Sequence, residues 1–219
     1  MKRLRFFICA ILALTLPLAA SAADISDEQL SELSSYNILV GDHHGDLRMG
    51  DDLTFGELCK MVTVACGYSN DLTDPSLEVP GVDSLHWAYP YIANAYALSI
   101  IDIDILGSFE PGREVTYAET VAVILYALGY EKAAQGMGGY PAGYLYLGAT
   151  NRTGLLNGVQ HAINEPVSRG DAAQLITNAL DIDMMLQTGY SAGLLGDTWS
   201  VTEGFTLRTI LNGENTYPQ

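Results

Sequence analysis

Positive charge is what this 219-residue chain has least of. It carries 10 Lys and Arg against 26 Asp and Glu, a formal net charge of -16. Phosphate backbones are held by basic fields, so nucleic acid is excluded as a partner. Cysteine is nearly absent as well. Cys9 falls in the leader described below, and Cys59 and Cys66 lie seven residues apart in one helical stretch. At ~1.5 Å per residue their Cα atoms sit about 10 Å apart, too far for a disulfide, so they read as small buried apolar residues. No apolar run after the leader reaches the ~20 residues a membrane span needs. No Walker loop is present, and no G-x-G-x-x-G in a strand–helix context. What the chain does have is 48% hydrophobic residues, enough to build a core and to exclude a disordered tail.

The first 23 residues are a leader. Lys2, Arg3 and Arg5 form a positive start, residues 6–18 are apolar apart from Thr15 and Pro17, and Ala20-Ser21-Ala22 supplies a small-residue cleavage site. This is the pattern of a secretory signal peptide cut after Ala22 or Ala23. Its loss takes the cations from 10 to 7 against 26 acids, leaving a mature chain near -19. The expected product is secreted, with no membrane contact after cleavage.

The strongest signal is a pattern written three times. Leu53-Thr54-Phe55-Gly56-Glu57, Val115-Thr116-Tyr117-Ala118-Glu119 and Val167-Ser168-Arg169-Gly170-Asp171 each place a hydroxyl residue three positions before an acid. That spacing predicts a capping box: the hydroxyl accepts from the N–H at the acid's position, and the acid reaches back to the cap's own N–H. The shorter Asp171 is expected to make the poorer reciprocal bond. Seven and eight positions after the cap stand Met61-Val62, Val123-Ile124 and Leu175-Ile176. Eleven and twelve positions after it stand Ala65-Cys66, Ala127-Leu128 and Ala179-Leu180. This is one apolar stripe of an amphipathic helix. Gly67 and Gly129 then read as C-caps.

Upstream, the apolar pairs Ile38-Leu39, Ile100-Ile101 and Leu155-Leu156 close an earlier helix, 16, 16 and 13 residues before the cap. Asn37 and Gly154 before two of them tolerate a left-handed backbone; Ser99 before the third does so less readily. The predicted fold is mostly α: three helix–loop–helix repeats, at about residues 26–68, 82–130 and 144–186, packed with pseudo-threefold symmetry. None could bury its stripe alone. Residues 69–84 and 135–143 read as connectors. The repeat domain spans 24–190, and 191–219 is left as a C-terminal tail with Trp199 and Phe205.

These residues resemble S-layer homology domains, which usually come in threes on bacterial surface proteins. The clearest stretch is the second copy, with Val82-Asp83, His86-Trp87-Ala88, Tyr91-Ile92, Ala95, Ile100-Ile101, Phe109, Pro111 and the box at 115–119. The third keeps Gly154-Leu155-Leu156-Asn157-Gly158 and a Ser168-Arg169-Gly170-Asp171 form of the family's Thr-Arg-Ala-Glu box. The resemblance spans about residues 26–186. It implies a non-catalytic module, without cofactor or metal, that attaches to the cell wall by binding secondary cell-wall polysaccharide, often pyruvylated, in grooves between repeats. Carried over position by position, Arg169 matches the box Arg that reads the anionic group, Trp87 matches the Trp of the first helix, and Gly158 is a groove glycine. Phe55 and Tyr117 stand where the family has Arg. Neither replaces a guanidinium, though either could stack on a sugar, so at most one charge-reading groove is expected, near Arg169, with the other two weakened or purely structural. The alternative reading is a structural or surface-protein-binding module that kept the fold with little polysaccharide affinity, and Phe55 and Tyr117 favour it.

Three other strings carry little. Gly189-Tyr190-Ser191-Ala192-Gly193 spells a nucleophile elbow, but a helical stretch precedes it and every His lies earlier in the chain. Asp42-His43-His44-Gly45-Asp46 matches no metal-ligand spacing and reads as a solvated turn. Asn151-Arg152-Thr153 fits a glycosylation sequon by letter only.

Overall fold

A computed structural model describes residues 25–150, 153–189 and 198–218. The leader, the first two sequon residues and positions 190–193 of the elbow string lie outside them. Among the described residues the chain is mostly helical, with one two-stranded antiparallel sheet.

Three eleven-residue helices form the centre: α2 (Phe55–Ala65), α5 (Tyr117–Ala127) and α8 (Arg169–Ala179). Each starts at an expected box. Thr54 accepts from the Glu57 N–H, Thr116 from the Glu119 N–H and Ser168 from the Asp171 N–H. The return bonds to the cap N–H measure 3.1, 2.8 and 3.1 Å. The Asp box is therefore no poorer than the first Glu box, contrary to the sequence expectation. Gly67 and Gly129 are left-handed, at φ 84° and 78°, and end α2 and α5 as foreseen.

Against each central helix lies an outer one: α1 (Asp27–Ser35) on α8, α3 (Tyr89–Ala97) on α2, and α7 (Ala142–Ala149) on α5. Short helices α4 (Ile103–Leu106) and α6 (Glu131–Gly136) fill the connections. The outer helices turn off through Asn37, Ser99 and Gly154, at φ 59°, 56° and 59°. Ser99 thus takes the conformation that its side chain disfavours by ~1–2 kcal/mol. The turn buries Ile100 and Ile101, at 1% and 3% exposure, and each buried Ile returns roughly 1.5–3 kcal/mol, so burial wins. The Ile100 N–H donating to the Ala95 carbonyl closes that helix end.

The three segments meet through their backbones just before the caps. Leu53 N–H donates to Val167 O (2.8 Å), Val167 N–H to Val115 O (3.3 Å), and Val115 N–H back to Leu53 O (3.1 Å). All three side chains are fully buried. One step further, Phe55, Tyr117 and Arg169, the first residues of α2, α5 and α8, donate to Arg113 O, Glu165 O and Asp51 O at 2.8, 2.8 and 2.9 Å. A helix's first N–H groups have no partner within the helix. Here each is satisfied by the loop of another segment.

Residues 198–218, read from sequence as tail, pack against the far ends of the central helices. Strand β1 (Met185–Gly189), standing where a helical stretch was expected before the elbow string, pairs with β2 (Thr198–Val201), and α9 (Leu207–Leu211) follows, capped by Thr206. Met185 N–H donates to Leu128 O after α5, Arg208 N–H to Leu180 O after α8, and the Tyr217 hydroxyl to Ala127 O. Arg208 also pairs with Glu32 of α1 and with Asp181. Cys59 and Cys66 are buried free thiols, and burial raises both thiol pKa values well above the ordinary range.

The close approach of this segment gives a test. At Gly129 a Cβ would run into the Met185 carbonyl oxygen, and φ is positive; at Gly112 a Cβ would meet open space. Gly129→Ala should destabilise by about 2 kcal/mol or more, lowering Tm by roughly 4–8 °C. Gly112→Ala should move it by less than about 2 °C. Thermal unfolding by circular dichroism checks both.

Candidate functional site

The cap acids are electrostatic hubs of the fold, and each faces a cationic or imidazole group. Glu57 lies 2.6 Å from Arg169 Nη1 and 2.8 Å from Arg48 Nη2. Glu119 lies 3.0 Å from Arg113. Asp171 lies 3.1 Å from His161 Nε2, both side chains nearly buried. Arg48, Arg113 and His161 come from the extended loops. Only Arg169 comes from the box itself.

The first helical residue of each box reaches into a loop of another segment. Phe55 is fully buried, stacked on Phe109 at 5.9 Å with the Arg113 guanidinium over its ring at 4.9 Å. Tyr117 is 4% exposed, donates its hydroxyl to Val159 O at 3.0 Å and meets the His161 ring edge-on. Burial and then the Asp171 charge push its pKa up to about 12. Neither ring has a face open to solvent. Arg113 donates to the Leu106, Ser108 and Glu114 carbonyls and pairs with Glu119.

Arg169 is itself 5% exposed. Its Nε donates to Leu47 O, Nη2 to Val40 O and Nη1 to Glu57, which uses three of its five N–H groups. It therefore pins the 40–47 loop, and it lines a cleft of about 200 Å³. The walls of that cleft come from three segments. The first gives Val40, Asp42, Arg48, Glu57 and Lys60, the second gives Trp87 and the third gives Arg169. Trp87 is 54% exposed, its ring tilted against Tyr91. Arg169 and Trp87, singled out from sequence, are thus brought to one place. Phe55, Tyr117 and Gly158 do not line this cleft. Gly158 is exposed at φ 80°, beside Gln174.

The cleft also holds what sequence reading passed over. Of the seven Lys and Arg outside the leader, Arg48, Lys60 and Arg169 line this one depression. The available signal was rarity: with so few cations, the position of each one is informative. Lys60 titrates below the ordinary lysine value, because burial and then the Arg169 charge disfavour its ammonium form more than Glu57 favours it. The cleft gathers three cationic side chains beside two acidic ones, Asp42 and Glu57, on a strongly negative protein. Burial alone would raise the Glu57 pKa. The Thr54 N–H, Arg169, the Thr54 hydroxyl and Arg48 outweigh it and hold Glu57 below its usual 4.5.

Known proteins can now be set beside this geometry. Residues 82–121 match the S-layer homology domain. A "Cell surface protein" of Thermoanaerobacter kivui is 28% identical over 205 residues, 84% of this chain and 26% of that protein. A "Middle cell wall protein" of Brevibacillus brevis is 26% identical over 180 residues, 77% of this chain and 16% of that protein. A "Surface layer protein" of Brevibacillus choshinensis is 26% identical over 202 residues, 85% of this chain and 17% of that protein. The chain thus spans about a quarter or less of the length of these relatives. No helix among the described residues is long and apolar enough to cross a membrane.

Glu57 gives a pH prediction. A carboxyl whose folded pKa is depressed contributes stability that is present above its unfolded value and lost as pH falls through the folded one. The wild type should lose stability as pH drops below about 4.5. Glu57→Gln should be less stable at pH 7 and show a shallower decline from pH 5 to 3. Urea midpoints measured across that range check it; equal slopes would contradict it.

Proposed function

We propose that this chain is a secreted, non-catalytic wall-binding module, held at the bacterial cell surface through secondary cell-wall polysaccharide bound in the Arg48–Lys60–Arg169–Trp87 cleft. Residues 1–23 are its leader and 24–190 its domain, three copies of one unit around a pseudo-threefold axis. The closed set of backbone bonds among Leu53, Val115 and Val167 supports that arrangement. The match at 82–121 and the surface and wall proteins related to it support the setting.

The observation that carries the reading is the cleft itself: three of seven cations beside an exposed indole. An acidic sugar needs a cation for its carboxylate and a flat apolar face for its ring. Long-range repulsion by a chain near -19 does not forbid this. The Debye length at ~0.15 M salt is about 8 Å, so a polymer already in contact feels the cleft's cations more than distant acids. Pyruvylated sugars, with one carboxylate per residue, suit the site. Arg48 and Lys60 meet the charge, Trp87 stacks on the ring, and Arg169 frames the loop.

Only one such cleft is assigned. Phe55 and Tyr117 are buried, and the interfaces they serve are structural in this reading. Their burial also favours the alternative: an interaction module with a surface-protein partner and little polysaccharide affinity.

Pelleting with purified sacculi separates the two. The protein should sediment with intact sacculi and stay in solution with sacculi stripped of polysaccharide by hydrofluoric acid. Arg48→Ala and Trp87→Ala, both at partly exposed sites, should each weaken wall binding about tenfold, equivalent to about 1.4 kcal/mol; Trp87→Ala should leave Tm unchanged, and Arg48→Ala, which frees one side of Glu57, should lower it by only about 2–4 °C. Equal sedimentation with stripped sacculi would overturn the assignment.

A further inference from the structure

A second, larger cleft continues from the first. It measures about 540 Å³, within the roughly 300–1,000 Å³ of small-ligand sites, and shares Val40 and Lys60 with the Arg169 cleft. The boundary between them is aromatic: Trp87 of the first cleft and Tyr91 of the second have ring centroids 6.5 Å apart. Beyond Tyr91 the lining changes character. The cations end at Lys60, and Tyr36, Asn37, Tyr68 and Asn70 follow. These are side chains that stack on or hydrogen-bond to a neutral, hydroxyl-rich ligand.

The far wall is built by the C-terminal segment. Ile210 and Leu211 of α9 line the cleft. Asn212 accepts from the Tyr36 hydroxyl at 2.8 Å, and Tyr217 holds Tyr68 edge-on at 6.0 Å. The two tyrosines are therefore fixed in place by residues outside the three repeated units. Asn37, at φ 59°, and Asn70 are exposed at the rim.

From this continuity we infer that the second cleft is an extension subsite for neutral sugar residues next to the acidic residue held at Arg48, Lys60 and Arg169. The inference rests on the wall-binding reading above. It adds that the protein reads more than one residue of the chain, and that α9 takes part in doing so. The ligand follows from the lining: one charged end and one uncharged, aromatic-flanked end suit a polymer in which an acidic sugar adjoins neutral ones.

Calorimetry with polysaccharide released from the producing bacterium's walls, fractionated into single residues and oligosaccharides of increasing length, tests this. Wild type should bind the oligosaccharides about tenfold more tightly than the acidic monosaccharide. Tyr91→Ala and Asn70→Ala should each remove most of that gain while leaving monosaccharide affinity within about twofold, and Tyr91→Phe should retain the stacking share of it. Arg48→Ala should weaken every fragment alike. If wild type binds monosaccharide and oligosaccharides equally, the extension subsite is refuted while wall binding stands. If no fragment binds and sacculi are not bound either, both readings fall together.

Discussion

Leu53, Val115 and Val167 each give one backbone hydrogen bond to the next and take one from the last. None of the three is exposed, so water cannot replace a missing partner. A buried donor or acceptor left unmade costs about 1–3 kcal/mol, and removing any one segment orphans a donor on one neighbour and an acceptor on the other. The same dependence recurs one residue into each helix, where Phe55, Tyr117 and Arg169 donate to loops of other segments. The apolar stripes of α2, α5 and α8 face one another inside this frame. Each segment's helix is thus completed by atoms that another supplies.

The cleft follows from that interlocking. Because the first residue of each central helix reaches into another segment's loop, the interfaces lie between segments, and the cleft draws its walls from all three. At two interfaces the reach is filled, by Phe55 under Arg113 and by Tyr117 against His161. At the remaining one, Arg169 binds loop carbonyls without closing the space, and Arg48, Lys60 and Trp87 stay on its rim. Glu57 does two jobs there: it caps α2 and it balances two of the guanidinium groups. Three cations and two carboxylates, Asp42 and Glu57, line that depression.

Much of the frame could be read from residue order. The boxes at Thr54, Thr116 and Ser168, the apolar stripes and the stops at Gly67 and Gly129 are local patterns, and local patterns survive folding. Arg169 and Trp87, singled out on strings in residues 82–119 and 154–171, line one cleft. What escaped depends on contacts distant in sequence. Ser99 is left-handed because of where Ile100 and Ile101 must go, which no propensity records. Arg113 lies over the Phe55 ring of another segment, a contact visible only in the folded chain. Residues 198–218 carry little periodicity, so their packing on three helix ends had no sequence signal. Asp171 was expected to reach poorly; the backbone at Ser168 brings its cap N–H to 3.1 Å.

Native-state hydrogen exchange of the Leu53, Val115 and Val167 amides tests the interlocking most directly. If the three segments complete one another, these amides exchange only through global unfolding, with one shared protection free energy and one shared denaturant slope. If one of them exchanges through a smaller local opening while the others stay protected, the segments are separable, and the frame on which the cleft stands is not a single cooperative unit.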